Sequence, residues 1–330
     1  MTREMNDEVD AFAAEVSWHY YVNGLTQAEI AKLLDSTRLR VNQAIQKAKS
    51  LGIVKIQVVT PLASRIELQE HARRALGVRR VLCAPAPRDH YEYHNAVGAT
   101  LASFVTERMR VRAWKTLGVS WGMTLESAIN RMPQQTHTDV EVVSMLGGTM
   151  QGTSFNTFNI ASGFAARLGA TYSLLVAPIF LSEGVDRALF LSQAIFAAHF
   201  AKFAKLDAAI LTASDVSPRS FLVANGLPSE VTTDELKAVG AVGDVLGRFL
   251  DADGRSIDHP IDTRTIGVDL ETVRSIPEKI LAAAGTHKVA IIRAAAKRGL
   301  VDTLITDDVT AELIVSETVK ETVPSEALAI

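Results

Sequence analysis

Residues 38–49 have the types and spacing needed to read a DNA major groove. At about 100° per residue, Val41, Ala44, Ile45 and Ala48 define one inner helical face. Leu39, Gln43 and Gln46 then point most nearly away from it, with Arg38, Arg40 and Asn42 on the flanks. Gln and Asn pair bidentately with adenine and Arg with guanine, and a leucine can contact a thymine methyl. Lys47, Lys49 and Lys55 suit phosphate, which positions a protein without reading sequence. From Ser36 to Ile66 there are six basic residues and no acid, on a chain of formal charge −3, so the rest carries −9. A basic island on an acidic chain is the electrostatic footprint of a nucleic-acid contact. The alternative is an amphipathic hairpin with a solvated basic face. Agreement of capping, phase and charge favours DNA.

A second chemistry lies in five polar loops further along the chain. They are Gly118-Val-Ser-Trp-Gly-Met-Thr124, Leu146-Gly-Gly-Thr149, Gly240-Ala-Val-Gly-Asp244, Ala284-Gly-Thr-His-Lys288 and Ile305-Thr-Asp307. In the first, Ser120 and Thr124 offer hydroxyls, Trp121 an apolar face or a core contact, and Gly122 a tight turn. The second offers Gly147, Gly148 and Thr149. The last three loops place Asp244, Lys288 and Asp307 at strand ends. Such strand-to-helix loops can hold an anion or several hydroxyls. Each loop alone reads equally as turn chemistry. None is a Walker A loop or a GxGxxG fingerprint, so no nucleotide cofactor is expected.

The elements that must position these groups follow from periodicity. Thr26 and Glu29 form a capping box that starts a helix at Gln27, with Ile30, Leu33 and Leu34 on its buried face. Asp35, Ser36 and Thr37 interrupt the pattern and offer the next N-cap. Val54, Ile56 and Val58 alternate with Lys55 and Gln57, as in the strand of a small wing, which Thr60-Pro61 ends. Ser64–Leu76 reads as a connecting helix. Strands are expected at Val78–Cys83, Thr116–Val119, Asp139–Met145, Ala170–Val176, Asp207–Thr212, Thr265–Gly267, Ile280–Ala283 and Thr303–Thr306. Helices are clearest at Tyr91–Met109, Thr153–Leu168, Asp186–Lys202 and Thr286–Arg298. Strands spaced by helices imply a parallel sheet covered on both faces, with ligands beyond its carboxyl edge.

The 330 residues exceed one typical domain, and 48% hydrophobic with 22% charged residues is ordinary globular composition. No apolar run reaches the ~18 residues of a membrane span, and the charged N-terminus lacks a signal-peptide core. Cys83 has no disulfide partner and sits in an apolar run. A cytoplasmic protein is expected, with Cys83 as a packed core residue. His90 and His94 have i, i+4 spacing but no further ligands nearby, so they read as surface residues rather than a metal pair.

At this point the chain resembles the SorC family of bacterial sugar-responsive transcriptional regulators, over nearly its whole length. The head is similar to the family's L-T-Q-x-E-I-A-x-L-L start and A-x-x-x-G-I-V-x-I exit, Ala48 to Ile56. The body resembles G-V-S-W-G-x-T-L at Gly118–Leu125, G-A-V-G-D-V-L at Gly240–Leu246, A-G-x-x-K-x-x-A-I at Ala284–Ile292 and L-I-T-D-x-x-T-A at Leu304–Ala311. Two departures stand out. Ser36-Thr37-Arg38 replaces the Ser-Arg that opens many recognition helices. Ile210–Val216 lacks the usual G-I-G.

The resemblance implies a winged helix-turn-helix at residues 1–59, a linker helix at 60–77, and an effector and oligomerisation domain at 78–330. That last domain would be a doubly wound α/β fold similar to sugar-phosphate isomerases and deaminases. It implies Ser120, Trp121, Gly122, Thr124, Asp244 and Lys288 in the effector cleft, operator DNA as partner, and a homodimer or homotetramer. Among members, the chain is most similar to regulators of polyol catabolism, erythritol included. The competing reading is an isomerase or deaminase with a DNA-binding appendage and Asp244 or Asp307 as general base. A plainer one is an architectural DNA-binding protein whose body only oligomerises.

Overall fold

The structure is a computed structural model that describes residues 2–55, 62–89, 91–149 and 154–322. The chain forms two compact units, Met1–Ala63 and Ser64–Ile330.

The smaller unit holds α1 (Thr2–Tyr21), α2 (Gln27–Leu33) and α3 (Arg38–Ser50). The Thr26/Glu29 capping box is present, and the Thr37 hydroxyl caps α3 by accepting the Arg40 N–H at 3.2 Å. Val41, Ala44, Ile45 and Ala48 are buried as their phase requires, against Ile30, Ala31, Ala13 and Val16. Two expectations are corrected. Leu33 is 56% exposed, because α2 ends there and Ala31 takes the inward position. The first helix escaped sequence reading, although Phe12, Ala13, Val16 and Tyr20 recur at helical spacing and supply the third wall of this core. Of the expected wing, Val54 packs partly buried against the same core, while Ile56 to Pro61 lie outside the described residues.

In the larger unit, α4 (Ala63–Leu76) buries Ala72 in the main core. The strands in chain order are β1 (Arg80–Ala84), β2 (Thr116–Val119), β3 (Glu141–Ser144), β4 (Thr171–Ser173) and β5 (Ala208–Leu211). They continue with β6 (Ala213–Asp215), β7 (Gly243–Val245), β8 (Arg248–Leu250), β9 (Glu278–Ala282) and β10 (Thr303–Asp307). Seven form one parallel sheet in the order β1-β10-β9-β5-β2-β3-β4. Alternation along these strands fills two cores. Val143, Ala209, Leu211, Leu281 and Leu304 enter one, and Leu117, Val142, Ile210, Ile280 and Ile305 the other. Each face thus carries an apolar layer, as a doubly wound sheet requires. Cys83 is 5% exposed, and burial pushes its thiol up to about 12.

Three body expectations change. Thr265–Gly267 is not a strand and makes only isolated bridges, Thr265 to Phe180 and Gly267 to Leu146. Asp186–Lys202 is two helices, Arg187–Leu191 and Ala194–Phe203, because the backbone turns extended at Gln193, where the second begins. Gly240–Asp244 does not end on a helix. Gly243 and Asp244 belong to β7, the middle strand of a small antiparallel sheet, where Asp244 pairs with Ser214 of β6.

Candidate functional site

β9, β5 and β2 are neighbours in the sheet, and their carboxyl ends send three loops to one cavity of about 310 Å³. After β2 come Trp121 and Gly122, then Thr124 in the first turn of α6 (Met123–Arg131). After β5 come Thr212 and β6, which ends at Asp215. After β9 the chain runs through Gly285 into the short 3₁₀ turn Thr286–Lys288. Gly122 and Gly285 have φ of 120° and 119°, a region that side-chain-bearing residues rarely adopt. A Cβ on Gly285 would also lie 2.7 Å from the His287 ring. Tyr91, Tyr93 and His94, where α5 (His94–Arg110) begins, close a further side. The apolar wall is an aromatic cluster: Phe221 packs edge-on to Trp121 at 5.3 Å and to Phe155 at 4.8 Å.

Lys288 is half-buried and holds its ammonium 5.7 Å from the Tyr93 ring centre, a cation–π distance. That ammonium makes no hydrogen bond or ion pair among the described residues. Burial pulls its pKa down, and the charges of Asp215 and Asp244 push it back up. Asp215 Oδ1 is buried and likewise has no hydrogen-bond partner among the described residues. Asp244 is different. It is 2% exposed, its Oδ1 accepts the Ser214 hydroxyl at 2.7 Å, and its Oδ2 accepts the Gly247 N–H at 3.0 Å. Burial raises its carboxyl to about 6, against the lowering effect of those bonds and of Lys288. His94 Nδ1 lies 2.9 Å from the Thr124 hydroxyl, and burial next to Lys288 drops the ring to about 4. Burial also lowers His287.

The residues singled out in sequence therefore separate. Trp121, Gly122, Thr124 and Lys288 line the cavity. Ser120, Asp244 and Asp307 stand behind its wall. Ser120 is fully buried, with its hydroxyl 3.3 Å from that of Thr212. Asp307, also fully buried, accepts the Tyr91 hydroxyl at 2.9 Å and the Thr310 N–H. Gly147, Gly148 and Thr149 fall elsewhere. Gly147 packs against the Pro178 backbone, while Gly148 and Thr149 line a separate open cavity of about 780 Å³ with Phe158 and Pro178. Sequence reading missed Tyr93, Asp215 and His287, and it placed His94 on the surface. Tyr91-Glu-Tyr-His94, aromatics leading into the start of α5, was the available signal. His90 lies outside the described residues, and no group of three potential metal ligands occurs among those described.

On the smaller unit, Thr37, Arg38, Leu39, Arg40, Asn42, Gln43, Gln46, Lys49 and Lys55 are exposed, Leu39 at 68%. Several have local contacts. Arg40 stacks on Phe12 at 4.6 Å, and Asn42 accepts from Gln27 at 3.4 Å. Lys47 is half-buried and pairs with Asp10 of α1 at 3.0 Å, so it is less free for phosphate than its spacing implied.

The profile of a sugar-binding domain family (Sugar-bind) matches residues 60–316. The chain is 26% identical to the erythritol catabolism regulatory protein EryD of Brucella abortus over 313 residues, 95% of this chain and 99% of that one. It is 27% identical to the deoxyribonucleoside regulator of Bacillus subtilis over 317 residues, 95% and 100% of the two chains. The full-length sorbitol operon regulator SorC of Klebsiella pneumoniae superposes with a TM-score of 0.71. That match has 23% identity over 94% of this chain and 99% of that one, and so speaks to the fold.

Proposed function

We propose, for a chain that belongs to the sugar-binding domain family of SorC-type transcriptional regulators, that a small polyhydroxylated effector in the cavity governs operator binding by the helical head. The protein is a transcriptional regulator. Its effector is a sugar, a polyol or a sugar phosphate, a reading supported by the erythritol and deoxyribonucleoside regulators it resembles. The observation that carries it is one cavity lined by Lys288, whose ammonium makes no hydrogen bond or ion pair among the described residues, together with Asp215 and Thr124. Unpaired buried polar groups are costly, and sites built to hydrogen-bond a ligand keep them for it.

The cavity binds rather than converts its ligand. Neither carboxylate expected as a general base reaches it: Asp244 and Asp307 are both buried behind the wall. Residues 1–59 read DNA, 60–77 connect, and 78–330 bind effector and oligomerise. A dimer or tetramer extends a short half-site to a palindrome. The apolar side chains of Leu189 and Ile195, each 70% exposed, supply surface for such pairing. The described residues contain no helix long and apolar enough to cross a membrane, in keeping with work in the cytoplasm.

The deciding experiment titrates operator DNA with and without a panel of sugars, polyols and their phosphates, alongside melting curves. One panel member should shift operator affinity and raise the melting temperature. No shift in either measurement across the panel would leave only the architectural reading.

The head makes a separate prediction. Gln43→Ala and Gln46→Ala should relax base preference at discrete operator positions, at roughly 1–3 kcal/mol for a bidentate contact. Lys49→Ala should weaken all sequences alike and flatten the salt dependence. Footprints of both glutamine variants that match the parent at every position would mean α3 does not read bases.

A further inference from the structure

We propose that two copies of this chain pair through the outer face of residues 188–201, with Ile195 of each copy seated in a groove of the other. This rests on the reading that the body oligomerises, and it adds the surface that does so. The helix Ala194–Phe203 carries apolar residues on both of its faces. The inner face is Phe196, His199, Phe200 and Phe203, the i, i+3, i+4, i+7 set of one buried stripe. It is fully engaged. The His199 ring donates from Nε2 to the Ser144 carbonyl at 2.9 Å, and Phe203 packs edge-on to His199 and Phe200. Phe196 stacks at 4.6 Å on Phe190 of the preceding helix, Arg187–Leu191. Lys202, the one charged residue of this helix, pairs with Glu141 of β3. The outer face repeats the same spacing with Ala194, Ala197, Ala198 and Ala201, all exposed, and Ile195 beside them is 70% exposed. Of the exposed residues between 188 and 201, only Ser192 and Gln193 are polar and none is charged. A helix apolar all round is a buried helix, and contiguous exposed apolar surface of this kind marks an association site.

Three features select a second copy as the occupant. First, the face is electrically self-complementary. With no exposed charge between 188 and 201, it brings no like charges together when it meets itself, whereas a charged partner would lose hydration without gaining a counter-charge. Second, the alanine stripe lets another helix approach closely, and a twofold axis sets the same small residues opposite themselves. Third, the chain carries both a knob and its hole. Val185, Leu189, Phe190 and Gln193 line a groove of about 380 Å³. Asp186, also on its lining, is committed to the helix cap, where its Oδ1 accepts the Ala188 N–H at 2.8 Å and the Leu189 N–H at 3.0 Å. In a twofold pair, each contact of one copy on the other is made twice, so both Ile195 side chains find a groove at once.

Sedimentation of the full chain without DNA tests this, with a melting curve for each variant. The parent should be a dimer or tetramer. Ile195→Glu and Ala198→Glu should each raise the dissociation constant by about a hundredfold or more, since the pairing buries every introduced carboxylate twice. Val111→Glu, at a position 59% exposed and outside this face, should leave that constant within about threefold. A second measurement reads the seating of Ile195. Leu189→Lys should weaken pairing on its own. Mixed with Ile195→Glu, it should give a mixed pair about tenfold tighter than either variant forms with itself. In that pair the introduced ammonium and carboxylate face each other, while the second groove keeps its native leucine and isoleucine. Folded variants at positions 195 and 198 that associate like the parent would put the pairing surface elsewhere and leave the oligomer reading intact. An equal loss in Val111→Glu would also overturn the assignment of this face, and a mixed pair no tighter than either variant alone would overturn the seating. A parent that sediments as a monomer ends both the oligomer reading and this proposal.

Discussion

Lys288→Met is expected to silence the effector response while raising the melting temperature. Both effects come from one observation, a half-buried ammonium with no hydrogen bond or ion pair among the described residues. Burial disfavours its charged form, and the carboxylates of Asp215 and Asp244 only partly offset this. Methionine fills a similar volume without charge and adapts to irregular walls, so the folded state gains. The ligand loses a charge-assisted hydrogen bond, typically about 1.5–3 kcal/mol, which is about ten- to 150-fold in affinity. Operator binding without effector should stay within twofold. An effector acts only through its differential affinity for two conformations, and losing a ligand contact removes that differential without altering the groove-reading face of α3. Melting curves and operator titrations at saturating effector check both halves. A variant that still responds at the parental effector concentration would show that Lys288 does not touch the ligand.

Periodicity exposed the elements that carry strong patterns. The capping box at Thr26, the inner face of α3 and the positions of all seven strands of the parallel sheet follow from apolar runs long enough to be distinctive. What escaped was local and short. β6, β7 and β8 have three residues each, too few to show alternation, so Asp244 looked like a loop residue. Its exchange of roles with Asp215 follows from that register. Asp244 points its oxygens at Ser214 and Gly247, and Asp215, paired with Gly243, keeps a buried Oδ1 with no hydrogen-bond partner among the described residues. No spacing rule separates two aspartates 29 residues apart that meet only through an antiparallel ladder. Leu146–Thr149 failed for the opposite reason. It does follow a strand, β3, but its glycines pack against the Pro178 segment and turn the loop toward a different cavity.

Asp244 consequently predicts a stability effect rather than a pure loss of response. In Asp244→Ala, the buried Ser214 hydroxyl and Gly247 N–H lose their acceptor, each at roughly 1–3 kcal/mol, so a loss of about 2–5 kcal/mol is expected. Asp244→Asn keeps both bonds, since its amide oxygen can accept from Gly247 and its NH₂ can donate to Ser214. It also removes a buried charge. The sign of the pH effect follows from the raised carboxyl, at about 6 in the folded chain against about 3.9 unfolded. Between those values the folded state binds more protons than the unfolded one. Stability should therefore fall as pH rises from about 4 to about 6, by up to about 3 kcal/mol, and stay flat above. Burial raises Asp307 in the same direction, while Glu70, held down to about 2 by Arg73 and Arg74, has the opposite effect at lower pH. The informative quantity is thus the difference between parent and Asp244→Asn, which cancels those groups. Urea unfolding at pH 4.5 and pH 7 should show the variant gaining on the parent at the higher pH. Equal slopes in the two proteins would mean that Asp244 is not the titrating group and that its buried carboxylate costs the fold nothing.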